Sequence, residues 1–397
     1  MALDGLKKEV CDAVDSMRET LVGISAEIHA NPELSFQEVK ASQLLAATLT
    51  EAGLPVTRRA FGVETAFASE FGSSNGPCVG IIAEYDALPG IGHACGHNII
   101  GTAALGATLA LARLRDRLPG RVRLLGTPAE EQGGGKEIMA RHGAFAQVDC
   151  AMMVHPAAED LPTYRILARA AVAVAYRGRA SHASAEPESG INALDAIVTA
   201  YQAIAAWRQH MPPGHRIHGI ITDGGQAPNI VPERAAGSFA VRAPDREGLK
   251  LLRQRLDDCF RAGALASGCE VMIDWDDVEY LDLITNWPLA RAYQANAEAL
   301  GRRFKSLDDL PANRAASTDM GNVSHRVPSI HPMIAAVRPG VAFHSVNFAR
   351  DAASELGVQA MIDGAKAMAM TAIDYFTDQK LRAEVRQAFA KSTRADL

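Results

Sequence analysis

Three short segments hold the residues of this chain whose types and spacing could do chemistry: Cys95-Gly96-His97, Glu130-Glu131 and His155-Pro156. Each follows a short apolar run that reads as a strand, so the three segments can converge at strand ends. A thiolate, two imidazoles and a carboxylate gathered in one place make a transition-metal site. A second carboxylate beside it can take the proton of a metal-bound water, which is the equipment for hydrolysing an amide. Singly, each signal has a bland reading. Cys95 alone reads as a small buried hydrophobe, the adjacent acids as a surface turn, and His155 equally as a ligand or a packed core histidine. His93 is the rival of His97 in the same turn. Asp86, in the run from Glu84 to Gly90, is a natural partner for a ligating histidine, whose tautomer it would fix; a turn or N-cap carboxylate is the alternative. Glu84 itself suggests no role.

The elements that must position these residues follow from periodicity. Val10, Val14, Met17, Leu21, Ile24 and Ile28 recur at spacings of three and four, and predict one helix ended by Asn31-Pro32. Strands and helices then alternate: Val79–Ala83 (strand), Ile99–Leu114 (helix), Arg121–Leu125 (strand), Lys136–His142 (helix) and Ala151–Val154 (strand). This order predicts an α/β sheet with helices on its faces and ligands beyond the carboxyl ends of its strands. From about Arg169 the pattern becomes β-α-β-β-α-β, the ferredoxin-like unit, and after Leu283 the α/β alternation resumes. The expected organisation is therefore a catalytic domain of residues 1–168 and 284–397 with a mostly parallel mixed sheet, interrupted by a ferredoxin-like insertion at 169–283.

Composition narrows the function classes. The chain has 397 residues, 48% hydrophobic and 22% charged, as expected of a globular protein large enough for two cores. A net charge of −6 without a basic stripe argues against nucleic acid as a partner. The most apolar stretch, Ile99–Leu114, is rich in Ala and Gly and too short to span a bilayer, so no membrane association is expected. Residues 1–23 lack the basic and apolar regions of a signal peptide, and six scattered cysteines fit reduced thiols; both point to the cytoplasm. Trp207, Trp275 and Trp287 are expected to pack, and His210, His215 and His218 to be exposed. His325 and His331 read as packing histidines, with a ligand role as the alternative.

The segments Glu84–Asn98 (EYDALPGIGHACGHN), Gly126–Gly133 (GTPAEEQG), Val154-His155-Pro156, Ser181–Ser184 (SHAS) and Pro228–Pro232 (PNIVP) resemble peptidase family M20, the aminoacylase and carboxypeptidase-G type of dinuclear metal amidohydrolase. The likeness runs nearly end to end and is strongest to the branch of auxin-conjugate hydrolases, aminobenzoyl-glutamate hydrolases and aminoacylase-like dipeptidases. The resemblance implies two divalent ions per subunit, zinc or manganese foremost, with cobalt or nickel also admitted by the ligands. Cys95 would bridge them, with His97, Glu131, His155 and His344 as the other ligands, and Glu130 would be general base and then acid. It further implies a homodimer in which His182 reaches the partner's site to stabilise the oxyanion, the insertion serving as lid and interface. Asn229 and Arg242 resemble a clamp on the substrate's carboxylate or carbonyl, a task suited to the planar guanidinium.

Two departures bear on substrate. Asn98 stands where an aspartate commonly follows the Cys-Gly-His triplet, and Ser317–Asn322 looks like the aminobenzoyl-glutamate and dipeptidase relatives. Asp319 and Asn322 are expected to line the pocket. The expected activity is hydrolysis of a small-molecule amide, an N-acyl amino acid (an aromatic acyl group included) or a small dipeptide. Deamination or decarbamoylation at the same site, a thiol enzyme using Cys95 and His97, and a metal-binding scaffold without turnover are the alternatives. Cys95 and His97, one residue apart, are poor geometry for a nucleophile–base pair, and a scaffold has little use for Glu130. The acyl group, the amino acid and the native metal stay open at this stage.

Overall fold

The structure, a computed structural model, describes residues 3–311 and 314–395. In chain order the elements before the insertion are α1 (Leu3–Ser16), α2 (Arg18–Ala30), α3 (Val39–Glu51), β1 (Val56–Arg58), β2 (Phe67–Gly72), β3 (Cys78–Glu84), α4 (His97–Ala112), β4 (Arg121–Thr127), α5 (Gly135–Arg141), β5 (Cys150–Met152) and β6 (His155–Ala157). The insertion holds β7 (Ala168–Arg177), α6 (Ala193–Trp207), β8 (Arg216–Asp223), β9 (Arg234–Ala243), α7 (Arg246–Ser267) and β10 (Glu270–Trp275). After it come α8 (Trp287–Ala299), α9 (Met320–Ser324), β11 (Ser329–Ile330), β12 (Met333–Ala335), α10 (Val346–Ala352), α11 (Glu355–Thr377) and α12 (Gln379–Ala395). The chain divides into two compact units, Met1–Arg165 with Leu283–Leu397, and Ile166–Asp282.

The first unit is built on a mixed six-stranded sheet in the order β1-β2-β4-β3-β5-β11. Its two outer pairings, β1 with β2 and β2 with β4, are antiparallel, and the other three are parallel. Strand β3 is buried along its whole length, as a central parallel strand covered on both faces must be. Helix α4 packs beside it, and its small residues allow the approach: a Cβ at Gly101 would stand 3.0 Å from the Glu84 carbonyl oxygen. That closeness holds the start of α4, with Cys95 and His97, against the carboxyl end of β3. The single helix expected from Val10 to Ile28 is two, because the chain tightens at Met17 (φ −102°, ψ 5°), where its N–H donates to the Val14 carbonyl. The apolar run before His155 also divides. Strand β5 ends at Met152, and β6 leaves the main sheet to pair in parallel with β12.

Where the insertion leaves this unit and returns, the hydroxyls of Thr163 and Thr285 are hydrogen-bonded at 2.5 Å. The inserted unit itself is an antiparallel sheet in the order β10-β7-β9-β8, which with two helices is the ferredoxin-like topology. Alternate residues of its strands (Val172, Val174 and Tyr176 on β7; Phe239 and Val241 on β9) form one buried cluster with Ile197 and Ile204 of α6 and Leu252, Leu256 and Phe260 of α7. Trp207 and Trp275 pack against this cluster, whereas Trp287, at the start of α8, is 44% exposed and so not a core residue. Among the described residues no helix is long and apolar enough to cross a membrane.

Candidate metal centre

The site grows from the carboxyl ends of β3 and β4, from β6, and from the turn before α10. Cys95 lies in the turn before α4, and His97 is the first residue of that helix. Gly96 between them has φ +77°, and a Cβ there would fall 2.9 Å from Pro156 Cγ, so this turn needs glycine. Glu130 and Glu131 follow Ala129, which holds φ +62°. That strained residue is pinned from both sides. Its N–H donates to Glu38 Oε1 at 2.9 Å, and its carbonyl accepts from the N–H groups of Gly134 and Gly135. Glu38 also accepts from the Phe36 N–H and the Thr65 hydroxyl, so one buried carboxylate ties three segments under the Glu130–Glu131 turn. His344 is likewise left-handed, at φ +57°, and its N–H donates to the Ala94 carbonyl beside Cys95.

These placements bring the five expected ligands together. The ligand atoms of Cys95, His97 and His155 lie within 4.8 Å of one another, as do those of Cys95, Glu131 and His344. Cys95 belongs to both groups. The edge from Cys95 Sγ to His155 Nε2 is 3.6 Å, and that from Glu131 Oε2 to His344 Nε2 is 3.5 Å. Two ligands at about 2.0–2.3 Å from one zinc at a tetrahedral angle stand roughly 3.4–3.6 Å apart. The chemistry of the donors and the size of the cradle therefore fit divalent ions.

Hydrogen bonds fix which atoms face the cradle. His97 Nδ1 lies 2.8 Å from the Asp86 carbonyl oxygen and 3.1 Å from Asp86 Oδ1; a carbonyl can only accept, so Nδ1 carries a proton and Nε2 is the ring atom turned toward the cradle. His155 Nδ1 donates in the same way to the Pro156 carbonyl at 2.8 Å, leaving Nε2 toward Cys95. Asp86 also accepts from Ser35 Oγ and from the Glu131 N–H, so it orients ligands on both sides of the site. His93 turns elsewhere: its Nε2 meets the Ile28 carbonyl oxygen at 3.1 Å, and no candidate ligand group contains it.

Burial and the neighbouring charges set the protonation tendencies of these groups. Burial pushes the Cys95 thiol up, so its ionisation requires a positive charge on the sulfur. Burial, and then the charge on His97, lower His155 to about 4, which keeps its imidazole neutral and able to ligate. Burial would raise Asp86, but its bond to His97, the charge there and the Glu131 N–H hold it at about 2. Glu131 is pushed up to about 7 by burial against the pull of His97. Glu130 is buried and driven well above the ordinary carboxylate range by burial and by the charges of Glu84 and Glu131. A carboxyl raised in this way is better suited than an ordinary one to accept and hold a proton.

Sequence reasoning gave no role to Glu84 or Lys136, and it left His331 as a packing histidine with ligation as the alternative. Glu84, the last residue of β3, is fully buried with Oε1 3.0 Å from His97 Nε2. Lys136, near the start of α5, is also fully buried and ion-paired to both Glu84 and Asp319. A lysine directly after a triple glycine reads as surface; only the distant acids reveal otherwise. His331 is buried with its ring centroid 5.2 Å from that of His155, and neither of its ring nitrogens has a hydrogen-bond partner among the described residues. Asp319 sits deeper than expected. It is 0% exposed, and its oxygens accept from the Lys136 ammonium at 2.7 Å and the Lys136 N–H at 2.9 Å, so it holds Lys136 in place. Buried Asn322 donates to Glu137 at 3.0 Å.

The remaining expected residues belong to the inserted unit. His182 is exposed, and its Nδ1 accepts from the N–H groups of Ser184 (3.3 Å) and Ala185 (3.2 Å), which places the ring proton on Nε2. The Ala183 N–H donates to the Asn229 carbonyl at 3.0 Å, so the segments carrying His182 and Asn229 lie side by side. Arg242 on β9 stands in register between Arg169 of β7 and Arg216 of β8.

Two candidate ligand groups that share Cys95, a buried acid beside them and an α/β sheet with a ferredoxin-like insertion define a metal-dependent amidohydrolase. The sequence profile of peptidase family M20/M25/M40 matches residues 80–383, and the chain belongs to that family. It is 40% identical to the Xaa-Arg dipeptidase of Mus musculus over 98% of this chain and 93% of that protein. It is 28% identical to a p-aminobenzoyl-glutamate hydrolase subunit of Escherichia coli over 96% and 94% of the two. A solved dinuclear metal binding peptidase of family M20 from Bacillus subtilis superposes with a TM-score of 0.70 at 19% identity, over 91% of this chain and 99% of that one.

Proposed function

We propose that this enzyme hydrolyses the amide bond of a dipeptide or N-acyl amino acid, as a homodimer in the cytoplasm, with two divalent ions per subunit held by Cys95, His97, Glu131, His155 and His344. The observation that carries the reading is the meeting of these five side chains with Glu130 buried beside them. Zinc or manganese suits the ligands best. When bound, such ions lower the pKa of water toward neutrality and polarise a carbonyl. Glu130 removes the proton of the attacking water, keeps it on its carboxyl, and delivers it to the amide nitrogen as the C–N bond breaks. The partner subunit's His182 donates its Nε2 proton in a hydrogen bond to the carbonyl oxygen as that oxygen gains charge. Asn229 and Arg242 grip the carboxylate of the amino-acid half, and the inserted unit acts as lid and dimer interface. The end-to-end likeness to a dipeptidase supports a dipeptide as the substrate to try first.

Metal analysis coupled to hydrolysis assays tests the proposal. Glu130→Gln is expected to keep its metal and lose about 10²-fold or more in kcat. Turnover at the wild-type rate would refute the mechanism. Mass spectrometry of the products separates amide hydrolysis, which releases an amino acid, from deamination, which releases ammonia. Mixing His182→Ala with Glu130→Gln under subunit exchange should restore activity; no recovery would place His182 in its own subunit's site.

A further inference from the structure

We propose that Glu84 is itself a metal ligand, sharing with His97 the ion that His97 Nε2 faces; this rests on the metal-dependent reading above. Glu84 Oε1 and His97 Nε2 are 3.0 Å apart and 0–1% exposed, yet neither makes a hydrogen bond. With Nδ1 protonated toward Asp86, His97 in its neutral, ligating form presents an Nε2 lone pair, and Glu84 Oε1 presents another. Such a pair in a dry interior is held by a shared cation, a proton on Nε2 or a metal ion, and the further unpartnered ligand atoms around Nε2 fit the metal. Two donors about 2.1 Å from one ion are roughly 3.4 Å apart at a tetrahedral angle and roughly 3.0 Å apart at the right angle of a five-coordinate shell, so the observed edge fits the higher coordination. A third buried atom without a partner, Glu131 Oε1, lies 3.9 Å from the same nitrogen, and the ligand atoms of Glu84, His97 and Glu130 lie within 4.8 Å of one another.

The charges around Glu84 support this. Its other oxygen is held by Lys136, which also holds Asp319, and all three side chains are fully buried. Two carboxylates against one ammonium leave one negative charge, and that charge is turned toward His97. Glu84→Gln would leave Lys136 and Asp319 as a balanced pair, so the variant should fold.

The test uses the full-length protein stripped by chelator and titrated with Zn2+, a strong competitor for such ligands, with stoichiometry and affinity read by calorimetry and the coordination shell by zinc-edge X-ray absorption. Wild type is expected to take up two zinc ions. Glu84→Gln should weaken one of the two by more than the ~10–100-fold typical of losing an outer partner, with fewer oxygen and nitrogen neighbours per zinc. Glu84→Asp, which keeps the carboxylate, should recover part of that affinity. The stripped Glu84→Gln protein should melt no lower than stripped wild type. Two sites of wild-type affinity and an unchanged shell in Glu84→Gln would overturn the inference alone. Failure of wild type to bind zinc would instead overturn the metal-dependent reading.

Discussion

Lys136→Met offers a direct measure of what the buried charges under the site contribute. In the native protein the Lys136 ammonium touches Glu84 and lies 2.7 Å from Asp319 Oδ1, with no exposure of any of the three. At an effective dielectric of about 20, one unit-charge pair at that distance attracts by roughly 6 kcal/mol. Desolvating the ammonium offsets part of this, a penalty of several kcal/mol per ion. Methionine is close in length and fills the space, so packing changes little, but two carboxylates are left buried without their cation. Breaking a buried pair in this way costs about 3–5 kcal/mol, which is the expected loss. The assay is urea unfolding in the presence of chelator, so that metal linkage does not enter. Lys136→Met/Asp319→Asn, which removes one of the stranded charges, should recover part of the loss. A single variant within about 1 kcal/mol of wild type would refute the reasoning.

Other perturbations have equally definite outcomes. Burial and the Asp86 charge raise Glu38 to about 7 from its ordinary 4.5, so the folded state binds this proton more tightly than the unfolded chain. Its contribution to stability is therefore complete below about pH 4.5 and is lost as pH rises through 7. Glu38→Gln should remove that loss and gain up to about 3 kcal/mol over wild type at pH 8; parallel stability curves from pH 4 to 8 would contradict this. Asp86→Asn should weaken metal binding by about 10–100-fold, measured by chelator competition, because the amide orients His97 less firmly; unchanged affinity would argue against it. Gly96→Ala should destabilise by about 1–3 kcal/mol and lower metal content, since its φ is positive and its methyl would press on Pro156; wild-type melting and metal content would count against the strained turn.

Local pattern carried much of the architecture. The ferredoxin-like order from Ala168 to Trp275 was legible because each strand alternates and each helix repeats every three to four residues. The segments of Cys95, Glu130-Glu131 and His155 stood out because their types and strand-end positions suit metal binding whatever the rest of the fold; the choice of His97 over His93 and of Glu131 over Glu130, and His344 altogether, came through the family likeness. What escaped depended on long-range pairing. Met17 keeps the helical spacing, yet the helix breaks there. Val154 continues an apolar run, yet the strand changes sheet after it because β12, about 180 residues on, supplies the partner. Lys136 and Asp319 are 183 residues apart, and nothing local to either marks them as a buried pair. Glu84 was passed over for the same reason: its role depends on His97 and Lys136 arriving at the end of β3.

The hydroxyl bond between Thr163 and Thr285 makes the insertion a detachable module. The chain leaves and re-enters the larger unit across the width of a single hydrogen bond, and residues 166–282 supply no strand to the six-stranded sheet. A short turn joining the two threonine segments would leave every metal-facing side chain named above in place. Such a trimmed protein would separate cation capture from turnover.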